Sequence, residues 1–299
     1  NYKSFHADGG IGLIASRLTL QGPIKEDTSS FILSGRRTYI DVLTKPLIPD
    51  TSAFRGSGYY FYDLTAKLNW RLSDKDRLFL SGYFGRDVFT FNNQDLDFTF
   101  NVPWGNATAS LRWNHLFSDK LFVNTTAVFT DYNFAFEGGS SSFKFKLSSG
   151  VRDGNLKQDY TYYPNSLHNI KFGWNYTLHR FIPTTTEASS GDVEFDTGEK
   201  IKIYGNEAAI YILDDWSINE RFKVNAGMRL SMYQHIGPFT RYFNNPNTGT
   251  TDSVKTYDWG EPIKTYFGPE PRLSARYLFR DNSSFKMGIS HNYQYIHLA

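Results

Sequence analysis

Cysteine is absent from the 299 residues, which excludes disulfide scaffolds, Cys-ligated zinc, iron–sulfur clusters and thiol nucleophiles. An excess of charge is also missing. Thirty-two Lys and Arg against 30 Asp and Glu leave a net charge of +2, so neither a nucleic-acid footprint nor an acidic tail is read, and no nucleic acid is expected as a partner. Long apolar runs are absent too: the longest, Ala208 to Leu213, falls far short of the ~20 residues of a transmembrane helix. That excludes helical membrane proteins but not a membrane β-barrel, whose strands alternate lipid-facing and lumen-facing residues and average out as polar. No helical period is found. No HExxH, GxSxG, Walker or dinucleotide fingerprint occurs, and the seven His residues are scattered, so no enzyme, cofactor or metal is expected. No initiator Met or signal peptide precedes Asn1, and the chain is read as mature, processed or cut.

What is abundant is rings. Aromatic residues make up 17% of the chain although hydrophobic residues make up only 40% and the mean hydropathy is −0.47. Those rings sit in two-residue alternation. From Tyr60 to Leu72 the even positions are Tyr60, Tyr62, Leu64, Ala66, Leu68, Trp70 and Leu72, against Asp63, Thr65, Lys67, Asn69 and Arg71. Ala107, Ala109, Leu111 and Trp113 alternate with Asn106, Thr108, Ser110 and Arg112. The same pattern recurs at 169–178 and 222–232. Such stretches are strands with one apolar and one polar face. About twelve strands are expected, near 10–22, 29–42, 59–72, 77–90, 105–117, 120–136, 143–160, 167–182, 201–218, 221–236, 269–280 and 284–296. Several exceed the ~5–6 residues usual in soluble sheets and suit the ~9–11 tilted residues that a bilayer demands.

The connections alternate in kind. Short ones occur at Lys25–Thr28, Ser73–Asp76, Ser118–Lys120, Tyr163–Ser166, Asn219–Arg221 and Asp281–Ser283, all of polar turn chemistry. Long ones run through 43–58, 91–104, 137–142, 183–200 and 237–268. In antiparallel order one rim then carries tight turns and the other long loops, as in outer-membrane barrels with short periplasmic turns and longer extracellular loops. The first and last recognisable connections are both short turns, so both chain ends are expected at the long-loop rim. Barrels of this kind begin and end in the periplasm, so further strands are expected at each end, and residues 1–299 are read as an internal segment of one outer-membrane β-barrel domain. The expected fold class is all-β: a transmembrane antiparallel barrel.

The polar face supplies the site candidates. Arg17, Lys67, Arg71, Arg112, Lys171, Lys223, Arg229, Arg272 and Arg276, with Asn114, Asn175 and Asn225, are expected in the lumen. There they would contact an acidic ligand or the carboxylates of an internal plug, or serve lumen solvation alone, since Arg or Lys facing lipid at the midplane costs ~2–4 kcal/mol. Arg36 and Arg37 are adjacent, so one must point outward near an interface. Trp70, Trp113, Trp174, Trp216, Tyr60 and Tyr62 are expected in interfacial aromatic girdles. Loop aromatics Trp104, Tyr242, Phe243, Tyr257 and Trp259 could stack on an extracellular ligand or simply pack their loops. The acids Asp95, Asp97, Asp192, Glu194, Asp196 and Glu199 could hold Ca²⁺ but lack EF-hand spacing.

Particular strings carry a resemblance. They are Gly10-Ile-Gly-Leu-Ile-Ala-Ser-Arg-Leu-Thr-Leu-Gln-Gly-Pro-Ile24, Ser34-Gly-Arg-Arg-Thr-Tyr39, Asp74-Lys-Asp-Arg-Leu-Phe-Leu-Ser-Gly-Tyr83, Trp104-Gly-Asn-Ala-Thr108, Ser149-Gly-Val-Arg-Asp153, Glu270-Pro-Arg-Leu-Ser-Ala-Arg276 and Tyr293-Gln-Tyr-Ile-His297. With them the chain resembles, over nearly its whole length, the barrel of TonB-dependent outer-membrane receptors of the Bacteroidetes type, often preceded by a carboxypeptidase-regulatory-like domain. The resemblance implies a 22-stranded barrel blocked by its own N-terminal plug. It implies high-affinity substrate capture from outside, and opening driven through TonB pulling on a short N-terminal box. No plug or box is read in these residues. The partners so implied are outer-membrane lipid and lipopolysaccharide, the plug and TonB, with a surface lipoprotein as a further one to consider. The expected function is a part of an energy-coupled nutrient importer. A passive 12-stranded porin and an adhesion or scaffolding barrel are the alternatives.

Overall fold

The computed structural model describes all residues except 1, 2, 50, 192, 197–200, 245–247 and 297–299. Sixteen strands follow one another: β1 (His6–Ile11), β2 (Ala15–Lys25), β3 (Ser29–Thr38), β4 (Gly58–Arg71), β5 (Asp76–Asn93), β6 (Phe98–Ser118), β7 (Leu121–Gly139), β8 (Phe143–Tyr162), β9 (His168–Ser190), β10 (Val193–Asp196), β11 (Ile203–Ser217), β12 (Phe222–Ile236), β13 (Phe239–Asn244), β14 (Thr251–Tyr257), β15 (Pro262–Arg280) and β16 (Ser283–Ser290). Between β3 and β4 lies one short helix, α1 (Ile40–Thr44), which runs into a 3-10 turn. The hydrogen-bonded order is β1-β2-β3-β4-β5-β6-β7-β8-β9-β11-β12-β15-β16, with β10 on β9 and β13-β14 as a separate ribbon. Neighbours follow one another in sequence, which is the meander of an up-and-down barrel sheet.

All twelve expected strands are present. Of the four others, β1, β13 and β14 lie where the sequence alternates weakly, and β10 is four residues long. β1, rich in glycine, adds a hairpin before β2, with His6 opposite Gln21 and Ile11 opposite Ser16. Counting sides from the turn at 26–28 therefore starts one strand too late. The chain enters β1 from the tight-turn side of β2, not from the long-loop rim. Asn1 itself and Ala299 lie outside the described residues.

The long connections also need correcting. Expected loops at 91–104 and 137–142 are strand except for 94–97 and 140–142. β9 continues through 183–190 and folds back as β10. Most of 237–268 is the β13-β14 hairpin and the start of β15. Hydrogen-bonded extension satisfies the backbone of these excursions in place of irregular loop.

The tight turns hold as their chemistry dictates. The Ser73 hydroxyl donates to Asp76 at 2.7 Å and accepts from the Lys75 N–H at 3.1 Å. Asn165 accepts from the Leu167 N–H at 2.9 Å, and Asn219 from the N–H groups of Arg221 and Phe222 at 2.9 and 2.8 Å. Asp27 and Asp97 adopt left-handed backbone, with φ 55° and 45°, a conformation Asp tolerates in turns.

By internal contacts the chain divides into two compact units. The first is Asn1–Leu111, Val128–Asp153 and Arg180–Lys202; the second is Arg112–Ala127, Gly154–His179 and Ile203–Ala299.

Candidate functional site

Register fixes which side chains share a face. In the first unit, Arg36 lies opposite Asp63, Ser34 opposite Thr65 and Ile32 opposite Lys67. Thr65 lies opposite Tyr83, Lys67 opposite Ser81 and Arg71 opposite Arg77, while Arg17 faces Arg36. Arg17, Lys67 and Arg71 therefore share one face, as expected. The reverse face carries Leu18, Leu33, Leu64, Leu80 and Phe84, all exposed. Water does not favour so many bare apolar side chains in one sheet; lipid does. Trp70, Tyr60 and Tyr62 lie on this apolar face, across from Leu78, Val88 and Arg86, where girdle residues belong. Of the adjacent arginines, Arg36 turns to the polar face and bonds Asp63 at 2.7 Å. Arg37 turns outward, over the Tyr60 ring at 5.4 Å and beside Asp41 at 3.7 Å.

In the second unit the same logic holds. Lys223, Asn225, Arg229, Arg272 and Arg276 share a face: Lys223 opposes Arg276, Arg229 opposes Glu270 and Gly227 opposes Arg272. Ion pairs add Lys171, 3.6 Å from Asp215, and a 3.3 Å hydrogen bond from Arg229 adds Asn175. Asn114 bonds Asn124. The reverse face pairs Ile210 with Leu230 and Ile212 with Met228. Trp216 stacks on His168 at 5.4 Å, Trp113 lies 5.2 Å from His115, and Trp174 donates to Gln158 at 3.1 Å.

Most cations of the polar faces are neutralised in place. Arg17 pairs with Asp8 and Arg71 with Asp74. Glu270, 5% exposed, accepts from the Ser231 hydroxyl at 2.6 Å and lies 3.8 and 3.5 Å from Arg229 and Arg272. A buried carboxylate so surrounded is satisfied, and its arginines are committed. The contrast is a rung of three cations at the tight-turn end of β12, β15 and β16. Lys223 opposes Arg276, which opposes Lys286, and like charges directly across a sheet repel. Lys286 is not among the expected lumen cations, because only its pairing with β15 assigns its face. Arg112 lies in β6 in the same parity as Asn114.

The loop aromatics separate. Trp104 is not in a loop but in β6, stacked on Tyr59 at 6.4 Å. Tyr257 closes β14 buried under Lys255, with the ammonium 4.3 Å from its ring centre, so its face is taken. Tyr242 and Phe243 lie exposed on β13, and Trp259 is exposed with its ring edge-on to Tyr204 at 4.7 Å. Among the described residues no cluster of three or more His, Asp or Glu could hold a metal. Asp192 and Glu199 fall outside the described residues, as does the side chain of Asp196. Asp97 instead clasps turn 94–97 to turn 140–142. Ser141 donates to its carboxylate through both hydroxyl and N–H, the latter at 3.0 Å. Those bonds hold the carboxyl below the usual range.

One feature is not apparent from the sequence. In the first unit, away from the tight turns, the two faces exchange character. On the face that carries Asp63 and Asp87, β5 ends in Phe89 and Phe91. Phe91 stacks on Phe100 at 5.0 Å; Phe100 meets Phe136, and Phe136 meets Phe145, tilted at 5.5 Å each, with Phe54 against Phe91 at 5.7 Å. The opposite face of the same stretches is polar: Thr90 donates to Asn101, Thr99 to Asn92, Lys146 pairs with Glu137, and Arg152 with Asp131. Gly138 lets the rings lie flush, since a Cβ there would meet Phe145 at 3.0 Å and Phe100 at 3.3 Å.

Comparison with known proteins agrees with this architecture. The ferric yersiniabactin uptake receptor FyuA of Yersinia pestis superposes with a TM-score of 0.62 at 13% identity, over 94% of this chain and 46% of the receptor. The copper transporter OprC gives 0.66 at 11%, over 97% and 45%. The P. aeruginosa receptor FpvA, solved with pyoverdines, gives 0.65 at 11%, over 95% and 41%. The chain thus spans under half the length of each of these structures. A search of curated protein sequences finds no match. The family model described as TonB dependent receptor-like, beta-barrel, matches residues 33–295. Its members are transport receptors of the outer membrane, and that membrane is where this chain resides. With the model matched over most of its length, the chain belongs to the TonB-dependent receptor β-barrel family.

Proposed function

We propose that the chain is part of the barrel of an energy-coupled importer. In this reading the receptor captures a scarce nutrient outside the cell and admits it to the periplasm. It is a carrier with no catalytic role. The carrying observation is the family match over 33–295, on strands with an apolar side and a polar side. The strings quoted above favour the Bacteroidetes type, and with it an N-terminal plug, TonB as the source of mechanical work, lipopolysaccharide around the apolar face and a surface lipoprotein as a partner.

The polar faces line the lumen in this reading. The uncompensated rung of Lys223, Arg276 and Lys286 is the stronger plug-contact candidate, because its charges have no in-register acid, whereas Arg229 is held by Glu270. Tyr242, Phe243 and Trp259 remain candidates for ligand contact from the outer rim. The test is uptake in cells. Growth on the limiting nutrient should require both this receptor and TonB and should stop when the proton gradient is collapsed. Uptake that persists without TonB would instead make the barrel a passive channel.

A further inference from the structure

The importer reading leaves the transported molecule open, and the ring wall of the first unit bears on it. The wall lies on the polar face of its strands, so lipid does not explain it: the lipid-type face of the same stretches carries Arg152–Asp131 and Lys146–Glu137. Nor is the wall sealed by its own packing. Phe91, Phe100, Phe136 and Phe145 are half-buried, and at the edges Phe54 is 51% and Phe89 39% exposed. Its rings are phenyls, which offer no hydrogen bond. A polyanionic chelate laid on them would leave its charges unmatched, and a sugar stacked by its C–H face would find few partners for its hydroxyls; each such loss is costly. The polar groups that do converge are few and lie along one margin. Tyr59 donates to Asp87 at 2.7 Å, and the Arg36 guanidinium sits over Phe61 at 4.8 Å while bound to Asp63. A broad apolar surface with a few oriented polar groups is the composition of a small-molecule site.

We propose that this wall, centred on Phe91, Phe100, Phe136 and Phe145, is the contact surface for a planar aromatic or fused-ring group of the transported molecule. The rings stand 5.0 to 5.5 Å apart along the row, so a flat guest lies across two or three of them in offset or edge-on contact. Asp87 takes a hydrogen-bond donor on the guest's edge. Gly138 keeps the row level. This inference rests on the importer reading for the guest's arrival, not for its binding.

The test uses the full receptor that carries this chain, in lipid nanodiscs, with 7-hydroxycoumarin as probe and fluorescence anisotropy as readout. Saturable binding is expected. Phe100→Ser should weaken it about tenfold, and Phe91→Ser with Phe100→Ser about a hundredfold, one stacking ring corresponding to roughly a decade in affinity. Phe84→Ser, on the opposite face, should leave it unchanged. Should the serine variants fail to assemble by heat-modified gel mobility, Phe100→Leu, which keeps bulk and removes the ring, must still weaken binding. Absence of saturable binding, unchanged binding in Phe100→Leu, or an equal loss in Phe84→Ser overturns the proposal. A lower melting temperature in Phe100→Leu with unchanged binding would make the wall a packing surface for the plug. Cellular uptake separates the two readings. Probe binding without energy-dependent uptake sinks the importer and spares the wall; energy-dependent uptake without probe binding does the reverse.

Discussion

The near-turn and far halves of the first unit's strands make the instructive comparison. In β6, Ala107, Ala109 and Leu111 form the apolar side and Asn106, Thr108 and Ser110 the polar side. A few residues earlier in the same strand, Phe98, Phe100 and Trp104 take the parity of Asn106, while Thr99 and Asn101 take that of Ala107. β5 does the same: Leu78, Leu80 and Phe84 give way to Arg86, Thr90 and Asn92, while Phe89 and Phe91 follow Ser81 and Asp87. Period-two alternation never stops, but the greasy parity changes sides. Strands of 18 to 21 residues are too long for the bilayer, which needs ~9–11. Where the outer face leaves lipid, it becomes polar, and the apolar surface moves to the inside.

Five variants would break or sharpen that contrast. Leu64→Arg, on the lipid-type face of the near half, should cost about 2–4 kcal/mol and deplete assembled receptor from outer membranes; Asn101→Arg, on the same side of the sheet in the far half, should leave its amount unchanged. Gly138→Ala drives a methyl into Phe100 and Phe145 and should cost about 1 kcal/mol, read as a lower melting temperature. Replacing Arg152 and Asp131 together by Leu should cost under about 1 kcal/mol, as for a solvated ion pair; a clear gain in stability would place that pair in lipid. The smallest effect is that of Asp97→Asn. The native carboxyl is held below its ordinary value by Ser141, so the clasp is present above about pH 4 and is lost as pH falls through the lowered folded value. Hydrogen exchange at 140–142 should quicken in the variant at pH 7 and converge with the native rate in acid.

Much of this was legible. Twelve strands and the tight turns followed from alternation and from Asp, Asn and Ser at fixed points, because both are local. The polar parity of Arg17, Lys67, Arg229 and Arg276 followed from the same rule. Three things did not. β1 and the β13-β14 ribbon carry weak alternation, since Gly9 and Gly10 offer no side chain and a solvated hairpin needs no greasy face. Whether a cation is free depends on partners far away in sequence, as Glu270 is from Arg229. The rings Phe89, Phe91, Phe98 and Phe100 alternate in the sequence, but with 91–104 read as a loop their parity is not followed into the strands.

The absence of cysteine permits the most direct test. Single cysteines placed one at a time from 99 to 113 in β6 can carry a nitroxide, whose collisions with oxygen and with a water-soluble nickel chelate report lipid and water. Lipid contact is expected at 107, 109, 111 and 113, aqueous contact at 99 and 101, and the crossover between. Lipid contact continuing unbroken through 99 and 101, or no two-residue period at all, would contradict the exchange of faces.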